Sequence, residues 1–372
     1  MHRLTYYYKD IVPVDGVNVS NQITLSLASY WLKVLTLAFL LAGCFQSGDV
    51  SHHFEDYQQR IVSVQGSVPV AAPVIRVIEL PDKRDLHKEI PRTTLGLVDS
   101  YQLRKCGLFG LIAERNSVLG KVQDQFRNFD YQTQLIDGLE QCLTSNLLEE
   151  QLKNDLQVIL DTKYRYLNDY FSNLVLTSDA MRAQLSGHRW LERSKASMAV
   201  QVKSSFEVLN ETARYILEAS SKQGTLTPPP LITPYQEVLE KNNFVGRLAF
   251  SLKNSSDWLN VTTEQLIRYD ANIVCGKNRD KTKFNYLINV FNNVFAANIQ
   301  PYLSYLDSEY HTIAQHTAFI STVLEQQARS QTDRYDIHLI HDEFSLAIKQ
   351  HVNYWQSLFK RCGKTLHAIR TE

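Results

Sequence analysis

From Leu148 to Tyr170 the chain reads LEEQLKNDLQVILDTKYRYLNDY. The apolar and aromatic residues of this stretch recur every three, four or seven positions, at Leu148, Leu152, Leu156, Ile159, Tyr166 and Tyr170. This spacing places them along one face of an α-helix, with charged and amide side chains on the other faces. No Gly or Pro interrupts the pattern. The stretch therefore predicts a long amphipathic helix with one buried face.

The same helical spacing recurs before and after this stretch. The further stripes are Leu97, Tyr101, Leu108, Ile112 and Leu119; Phe129, Leu135, Leu139 and Leu143; Val202, Phe206, Leu209, Ala213 and Ile216; Phe284, Leu287, Phe291, Val294, Phe295, Tyr302, Leu303 and Leu306; and Ile340, Phe344, Ala347, His351, Tyr354, Trp355 and Phe359. Pro301 is expected to interrupt the fourth of these helices, and Gly363 to end the last. Because Gly (14) and Pro (10) are scarce among 372 residues, the sequence predicts a mainly α, multi-helix bundle.

Two parts of the chain depart from helical spacing. Residues 54–92 contain a β-branched run from Ile61 to Ile78, broken by Gly66, Pro69 and Pro73, which predicts extended chain and one hairpin. Residues 227–234 contain four prolines and predict a semi-rigid connector. The bundle then divides into a first helical half, residues 54–226, and a second, residues 235–372, that pack together.

The N-terminal region carries a targeting signal. Leu41-Ala42-Gly43-Cys44 follows an apolar run and Lys33, and resembles the bacterial lipobox, at which a signal peptide is cleaved before a lipidated cysteine. We expect residues 1–43 to be a signal peptide, Cys44 to carry the membrane lipid, and residues 44–53 to form an unstructured tether that includes His52 and His53. The polar stretch before residue 23 is long for such a signal, which suggests a translation start near Leu25 or Leu27.

The length and charge of the apolar run fit a signal peptide better than a membrane-spanning helix. A spanning helix needs ~20 apolar residues, and extending the run to that length places Lys33 inside the bilayer, at a cost of about 3 kcal/mol. A buried core helix with an incidental cysteine is the second alternative. In enteric sorting, an Asp directly after the lipidated cysteine retains a lipoprotein at the inner membrane. Because Phe45 follows Cys44 in this chain, the expected location is the periplasmic face of the outer membrane.

Charge and cysteine content narrow the class of protein. The 39 basic and 39 acidic residues balance, which argues against a nucleic-acid partner. Four cysteines remain beside Cys44, and an exported chain can pair them in three ways. We favour Cys106–Cys142 and Cys275–Cys362, because each pair lies within one half of the chain. Four buried free thiols are the alternative.

The most distinctive polar cluster is Glu114-Arg115-Asn116-Ser117. Four consecutive polar residues would spread around a helix, so some must face inward or face a partner. A buried Glu or Arg needs a paired charge or hydrogen bonds, and we favour a buried clamp between helices. A ligand-facing cluster and an ordinary solvated face are the alternatives.

These features together resemble a known family. The lipobox, the approach to Cys106 and the core motif Leu111-Ile-Ala-Glu-Arg-Asn-Ser-x-Leu-Gly120 are similar to gammaproteobacterial lipoproteins grouped as domain of unknown function DUF3080. The resemblance covers most of the chain after Cys44. It implies a helical envelope lipoprotein, and no activity, cofactor or catalytic residue.

The spacing of the histidines does not favour a metal site. His338 and His341 lie one helical turn apart, with His311 and His316 upstream. Two imidazoles on one face can begin a zinc site, but the spacing is not His-Glu-x-x-His and specifies no third ligand. Pairing of His338 with Asp342 along the helix explains the cluster without a metal. We therefore expect no metal and no cofactor.

No catalytic signature is present, so an enzyme is not expected. The chain lacks a Gly-x-Ser-x-Gly elbow, a P-loop and a dinucleotide-binding fingerprint. The first hypothesis is a lipid-anchored envelope protein whose helical surface binds another envelope protein or acts as a scaffold. The alternative is a module that holds a small ligand or lipid between the two helical halves, and an uncharacterised hydrolase ranks third.

Overall fold

The computed structural model describes residues 50–118, 120–122, 124–220, 227–276, 278–325 and 336–364. Within them the protein is mainly α, as predicted, and the only β-type pairing is one antiparallel bridge between Ile78 and Gly187. The helices are α1 (Val50–Gln65), α2 (Lys83–Leu86), α3 (Leu97–Gln102), α4 (Phe109–Asn116), α5 (Gln125–Thr144), α6 (Glu150–Thr177), α7 (Asp179–Leu185), α8 (Met198–Ser220), α9 (Gln236–Lys241), α10 (Val245–Arg268), α11 (Thr282–Val290), α12 (Gln300–Ile313), α13 (Ala318–Glu325) and α14 (Ile337–Arg361). The signal peptide and Cys44 lie outside the described residues.

The described residues from His53 onward belong to one compact unit, the larger of two, and of residues 1–52 only the last three are described. At the centre of the larger unit α10 packs along α14. The sequence stripes did not reveal α10, because its burial extends to most of its circumference. Polar residues such as Ser251, Asn254 and Gln265 are buried there beside Leu252 and Trp258.

The N-terminal helix α1 corrects two expectations. Residues 50–53 were expected in an unstructured tether and residues 61–65 in extended chain, yet both are helical, with His52 and His53 in the first turn. Phe54, Tyr57 and Ile61 recur at helical spacing and are fully buried. Burial of this apolar face outweighs the weak strand preference of Ile and Val.

The extended chain begins at Gly66, and it forms no hairpin. Its backbone is held by side chains of α10: Gln265 Oε1 accepts from Val70 N at 2.7 Å, and Asn254 Oδ1 accepts from Arg76 N at 2.8 Å. Two hydrogen bonds then pair Ile78 with Gly187, at 2.8 and 2.9 Å. Backbone groups of Val70, Arg76 and Ile78 thus find partners elsewhere in the bundle rather than in a hairpin.

Two predicted helices differ in detail. The stripe from Leu97 is split into α3, a 3₁₀ turn at Leu103–Cys106 and α4, because Gly107 adopts a positive φ of 86°. The helix expected to break at Pro301 continues through it, preceded by a π-helical segment, Phe291–Ile299. A proline lacks the N–H that would bond the carbonyl one turn earlier, and the wider π turn just before it relieves that loss.

Both favoured disulfides are present. Cys106–Cys142 and Cys275–Cys362 each join Cα atoms 5.1 Å apart. The last helix ends at Arg361, and Gly363 terminates it as expected, one residue after the cap at Cys362. Gly363 has φ +70°, and the amides of Lys364 and Gly363 bond back to Phe359 O and Lys360 O, at 2.9 and 3.3 Å.

Candidate functional site

A cleft of about 910 Å³ lies between the segment 87–95, the end of α4, and the sides of α5 and α6. Lys88, Arg92, Arg115 and Lys163 line it, and none of its described lining residues is Asp or Glu. The chain as a whole carries no net charge. This local excess of positive charge makes the cleft a candidate site for an anion.

The walls of the cleft are tied together at two places. Asn173 of α6 exchanges two hydrogen bonds with the backbone of Lys88, each 2.8 Å long, and Lys88 Nζ lies 2.9 Å from Asp169 Oδ1. The Cys106–Cys142 disulfide joins the turn before α4 to the end of α5, two helices that contribute to the cleft. The cleft is therefore formed before any ligand arrives.

Lys163 is the central feature of the cleft. Its exposed fraction is only 6%, and its ammonium donates one hydrogen bond, 3.2 Å long, to the hydroxyl of Tyr170. Throughout the described part of the chain, no carboxylate lies within ion-pair distance of it. Burial, and then the charge of Arg115, lower the pKa of Lys163 to about 8. An ammonium this deeply placed normally has an acidic partner.

Arg115 is half-buried and held in place by its own turn. Its guanidinium donates to Gly120 O and, at 3.0 Å, to Asn128 Oδ1 on α5. It also lies over the ring of Tyr131, 5.4 Å from the centroid. These contacts fix a planar group that suits two-point recognition of carboxylate or phosphate.

Neutral hydrogen-bonding groups complete the polar part of the cleft. Burial raises the pKa of Tyr131 and of Tyr170, although the charge of Arg115 opposes both shifts, so both hydroxyls keep their protons at neutral pH. Gln132 is buried, and its Oε1 has no hydrogen-bond partner among the residues that the structure describes. An unpaired buried amide oxygen lowers stability. This oxygen is therefore available to accept a hydrogen bond from a ligand that carries a donor.

The inner part of the cleft is apolar. Leu135, Leu139 and Leu156 line it and are all buried. Together with the cations and hydroxyls, they form a pocket with one charged and one apolar region. The arrangement can hold a small anion that carries an apolar group.

The predicted polar cluster is not a buried clamp. Glu114, Asn116 and Ser117 are exposed, and only Arg115 is partly buried and bonded to a neighbouring helix. The four residues form the end of α4, where Ser117 Oγ accepts from Gly120 N at 3.0 Å. Because α4 ends here, no further helical turn covers these side chains, and three of the four point to solvent. Only Arg115 faces the interior and needs a hydrogen-bonding partner there. Arg115 and Asn116 line the cleft, and Glu114 borders a smaller adjoining pocket.

The histidines pair differently from the expectation. His338 bonds the hydroxyl of Tyr310, with its Nδ1 at 2.8 Å, rather than Asp342. His341 is buried, and its Nε2 lies 2.8 Å from Asp307 Oδ1. The exposed His311, on the same helix as Asp307, lies near the same carboxylate. His316 is bonded to Gln315 and lies 3.4 Å from Glu207.

Sequence reasoning missed Lys163, although a signal was present. Lys163 lies seven residues after Leu156 and seven before Tyr170, so it falls on the apolar stripe itself. A lysine in a buried position of a helical stripe is rare enough to mark a site. Tyr131 and Gln132 carry no comparable signal, because both residue types are common on half-buried helix faces.

A family comparison identifies what this bundle is. The family described as "Protein of unknown function (DUF3080)" matches residues 54–366. The chain belongs to this family. The resemblance seen in the sequence is thereby confirmed, and the match spans the whole cleft. No curated protein and no solved structure matches the chain. Within the described ranges, no helix is both long and apolar enough to cross a membrane.

Proposed function

We propose that this DUF3080 protein is a lipid-anchored cell-envelope protein whose helical domain binds a small anionic ligand in the cleft beside Lys163. The observation that carries the proposal is a buried ammonium without a carboxylate partner among the described residues, in a cleft lined by bases and no acids. A buried ammonium without a nearby carboxylate lowers the stability of the free protein, and a bound anion would remove that cost. The proposed site lies within the first helical half, whereas the alternative drawn from the sequence placed a ligand between the two halves.

The lining groups define the class of ligand. Lys163 and Arg115 would bind a carboxylate or phosphate, Tyr170 would donate through its hydroxyl, and the leucines would cover a short apolar group. The pocket volume is in the range of sites for small molecules rather than for peptides or whole lipids. We therefore propose an amphiphilic anion of modest size.

The proposal is tested by binding of simple probes to the full chain in a non-ionic detergent. Hexanoate should raise the melting temperature and release heat in calorimetry, hexan-1-ol should do neither, and inorganic phosphate reports on the head group alone. Lys163→Met should weaken hexanoate binding at least tenfold. Lys153→Met on the same helix is the control, since Lys153 pairs with Glu150 and lies outside the cleft. Equal binding of hexanoate and hexan-1-ol, or no loss in Lys163→Met, would contradict the proposal.

Anchoring through Cys44 is a separate part of the proposal. It is supported by the lipobox and by two disulfides, which are typical of oxidising compartments. Cys44→Ser should accumulate as an unprocessed precursor that takes up no labelled palmitate. The unaltered chain should fractionate with the outer membrane. Normal processing of the Cys44→Ser chain would refute the lipid anchor and leave the cleft proposal standing.

Binding of another envelope protein remains a second candidate, because the extended segment exposes apolar side chains. Val68, Val74 and Val77 are 70%, 83% and 53% exposed. A photo-crosslinking residue at position 74 should then give a discrete product in cells. The same residue at position 158, where Val158 is 67% exposed on α6, should give none. Identical crosslinking at both positions would remove this candidate.

A further inference from the structure

A second group of side chains, remote in sequence from the cleft, has the composition of a metal site. Asp307 and His311 lie one turn apart on α12, and His341 lies on α14. One potential ligand atom from each of the three lies within 4.8 Å of the other two. The sequence drew attention to His338 with His341, but the fold brings His341 to His311 instead.

The distances suit a small metal ion. His341 Nε2 and His311 Nε2 lie 2.8 Å and 3.5 Å from Asp307 Oδ1. Ligand atoms at about 2.0–2.1 Å from a tetrahedral zinc ion are roughly 3.3 Å apart. Both nitrogens are therefore close to the required separation from the carboxylate oxygen. Because the three ligand atoms lie within 4.8 Å of one another, the exposed side chain of His311 can complete the site by moving toward His341.

Packing holds the two imidazoles in place. The ring of Tyr310 stacks on His341, with centroids 3.7 Å apart and planes 10° from parallel, and it meets His311 edge-on. The hydroxyl of Tyr310 is fixed in turn by His338 Nδ1 at 2.8 Å. Aromatic support of this kind orients ligands before the metal arrives.

The surroundings are acidic, which favours a cation. Asp336 is the N-cap of α14, and Asp342 directly follows His341 on that helix, so two further carboxylates lie on the element that carries the buried ligand. Asp307 is partly exposed and His311 is exposed, whereas His341 is buried. An ion can therefore enter from solvent and be held against a fixed inner ligand.

We propose that Asp307, His311 and His341 bind one Zn²⁺ ion, with a water molecule as the fourth ligand. Two imidazole nitrogens and one carboxylate oxygen are a donor set that zinc accepts, and three protein ligands leave one position open. The ion joins α12 to α14. The donor set is harder than a thiolate site and softer than an all-oxygen site, so Zn²⁺ is preferred over Mg²⁺ and Ca²⁺.

The experiment is a titration of the chelator-treated full chain with ZnSO₄, followed by calorimetry and by thermal melting. We expect saturable binding assigned to this site, a raised melting temperature with Zn²⁺, and no such change with Mg²⁺. Co²⁺ in place of Zn²⁺ should give the visible absorption of a four-coordinate ion.

Variants assign the signal to the three side chains. His311→Ala changes an exposed residue and should not disturb folding, yet it should weaken Zn²⁺ binding at least tenfold and remove the Co²⁺ absorption. Asp307→Asn should act in the same way. His316→Ala and His52→Ala are controls that should leave both signals unchanged. Zn²⁺ binding that His311→Ala and Asp307→Asn leave intact, or the absence of any Zn²⁺ binding to the wild-type chain, would overturn the proposal.

Discussion

At the scale of single residues, a buried lysine and a buried histidine carry the clearest energetic consequences. The pKa of Lys163 is about 8 in the folded chain, against an ordinary value of 10.5. At pH 7, below both values, the folded state holds a proton that it binds less tightly than the unfolded state does. The difference corresponds to roughly 3 kcal/mol of destabilisation. The site is therefore a local weakness in the free protein that an anion would remove.

Lys163→Met should accordingly stabilise the protein while it abolishes anion binding. Methionine fills a similar volume without a charge, so we expect the free energy of unfolding at pH 7 to rise by about 1–3 kcal/mol. Urea denaturation monitored by circular dichroism measures the change, with Lys153→Met as the neutral control. Between pH 8 and 10.5 the stability of the wild-type chain should rise relative to Lys163→Met, since the unfolded chain then binds more protons. A lower stability of Lys163→Met at pH 7 would show that the ammonium is satisfied within the fold.

His351 is the buried counterpart that needs no ligand. Its Nε2 lies 3.1 Å from the indole N–H of Trp355, which can only donate, so Nε2 is an acceptor and Nδ1 carries the proton toward Thr263 Oγ1 at 2.8 Å. Tyr57 completes this network. Complete burial lowers the pKa of His351 to about 3, so the imidazole is neutral in the folded protein.

The pH dependence of stability should report this histidine. The pKa of His351 is lower in the folded chain than its unfolded value of 6.5. The stability that the neutral imidazole contributes is therefore complete above pH 6.5 and is lost as the pH falls toward 3. The expected slope is about 1.4 kcal/mol per pH unit. Urea midpoints measured from pH 7 to 4 should fall more steeply for the wild-type chain than for His351→Gln. Parallel pH profiles would mean that His351 does not stay neutral.

At the scale of secondary-structure elements, sequence periodicity predicted the helices that bury a single face. α5, α6, α8 and α14 follow their stripes closely. α10 was missed because it is buried on most sides, and the end of α1 because Ile61, Val62 and Val64 suggested a strand. The end of α4 was misread because periodicity cannot say where a helix stops. Glu114 is exposed because the helix ends two residues after it, and the residue types around Glu114 do not reveal that end.

Two glycines of this region give a matched test of the α4 turn. A Cβ at Gly120 would lie 2.6 Å from Arg115 O and closer still to Glu114 O, whereas a Cβ at Gly110 would meet no atom within 4 Å. Gly120→Ala should therefore destabilise the protein by about 1–3 kcal/mol. Gly110→Ala, inside the helix, should stabilise it by about 0.5–1 kcal/mol. Thermal melting separates the two; equal effects would mean that the turn at Gly120 is not closely packed against α4.

At the scale of the whole molecule, hydrogen bonds join residues of the two predicted halves that are far apart in sequence. α1 belongs to the first half by sequence, yet Tyr57 bonds His351 and Gln65 bonds Gln265. The proline-rich connector is fixed by Asp130 of α5, which accepts from Ile232 N and Thr233 N at 2.8 and 2.9 Å. No periodicity in the sequence encodes contacts over such separations. The cleft depends on contacts such as that of Lys88 with Asn173, and the cluster at Asp307 on its contact with His341 of another helix, which is why neither could be predicted.

The two disulfides should differ in what they contribute to this architecture. Cys275–Cys362 closes 87 residues and Cys106–Cys142 closes 36, so chain entropy predicts losses of about 4.6 and 3.8 kcal/mol when each is removed. Only the Cys106–Cys142 disulfide joins helices that form walls of the cleft. Cys106→Ser/Cys142→Ser should therefore weaken hexanoate binding as well as stability, whereas Cys275→Ser/Cys362→Ser should reduce stability alone. Titration calorimetry well below each variant's melting temperature measures the hexanoate affinity, and urea denaturation measures the stability. Unchanged hexanoate affinity in the Cys106→Ser/Cys142→Ser chain would show that the cleft keeps its shape without that bridge.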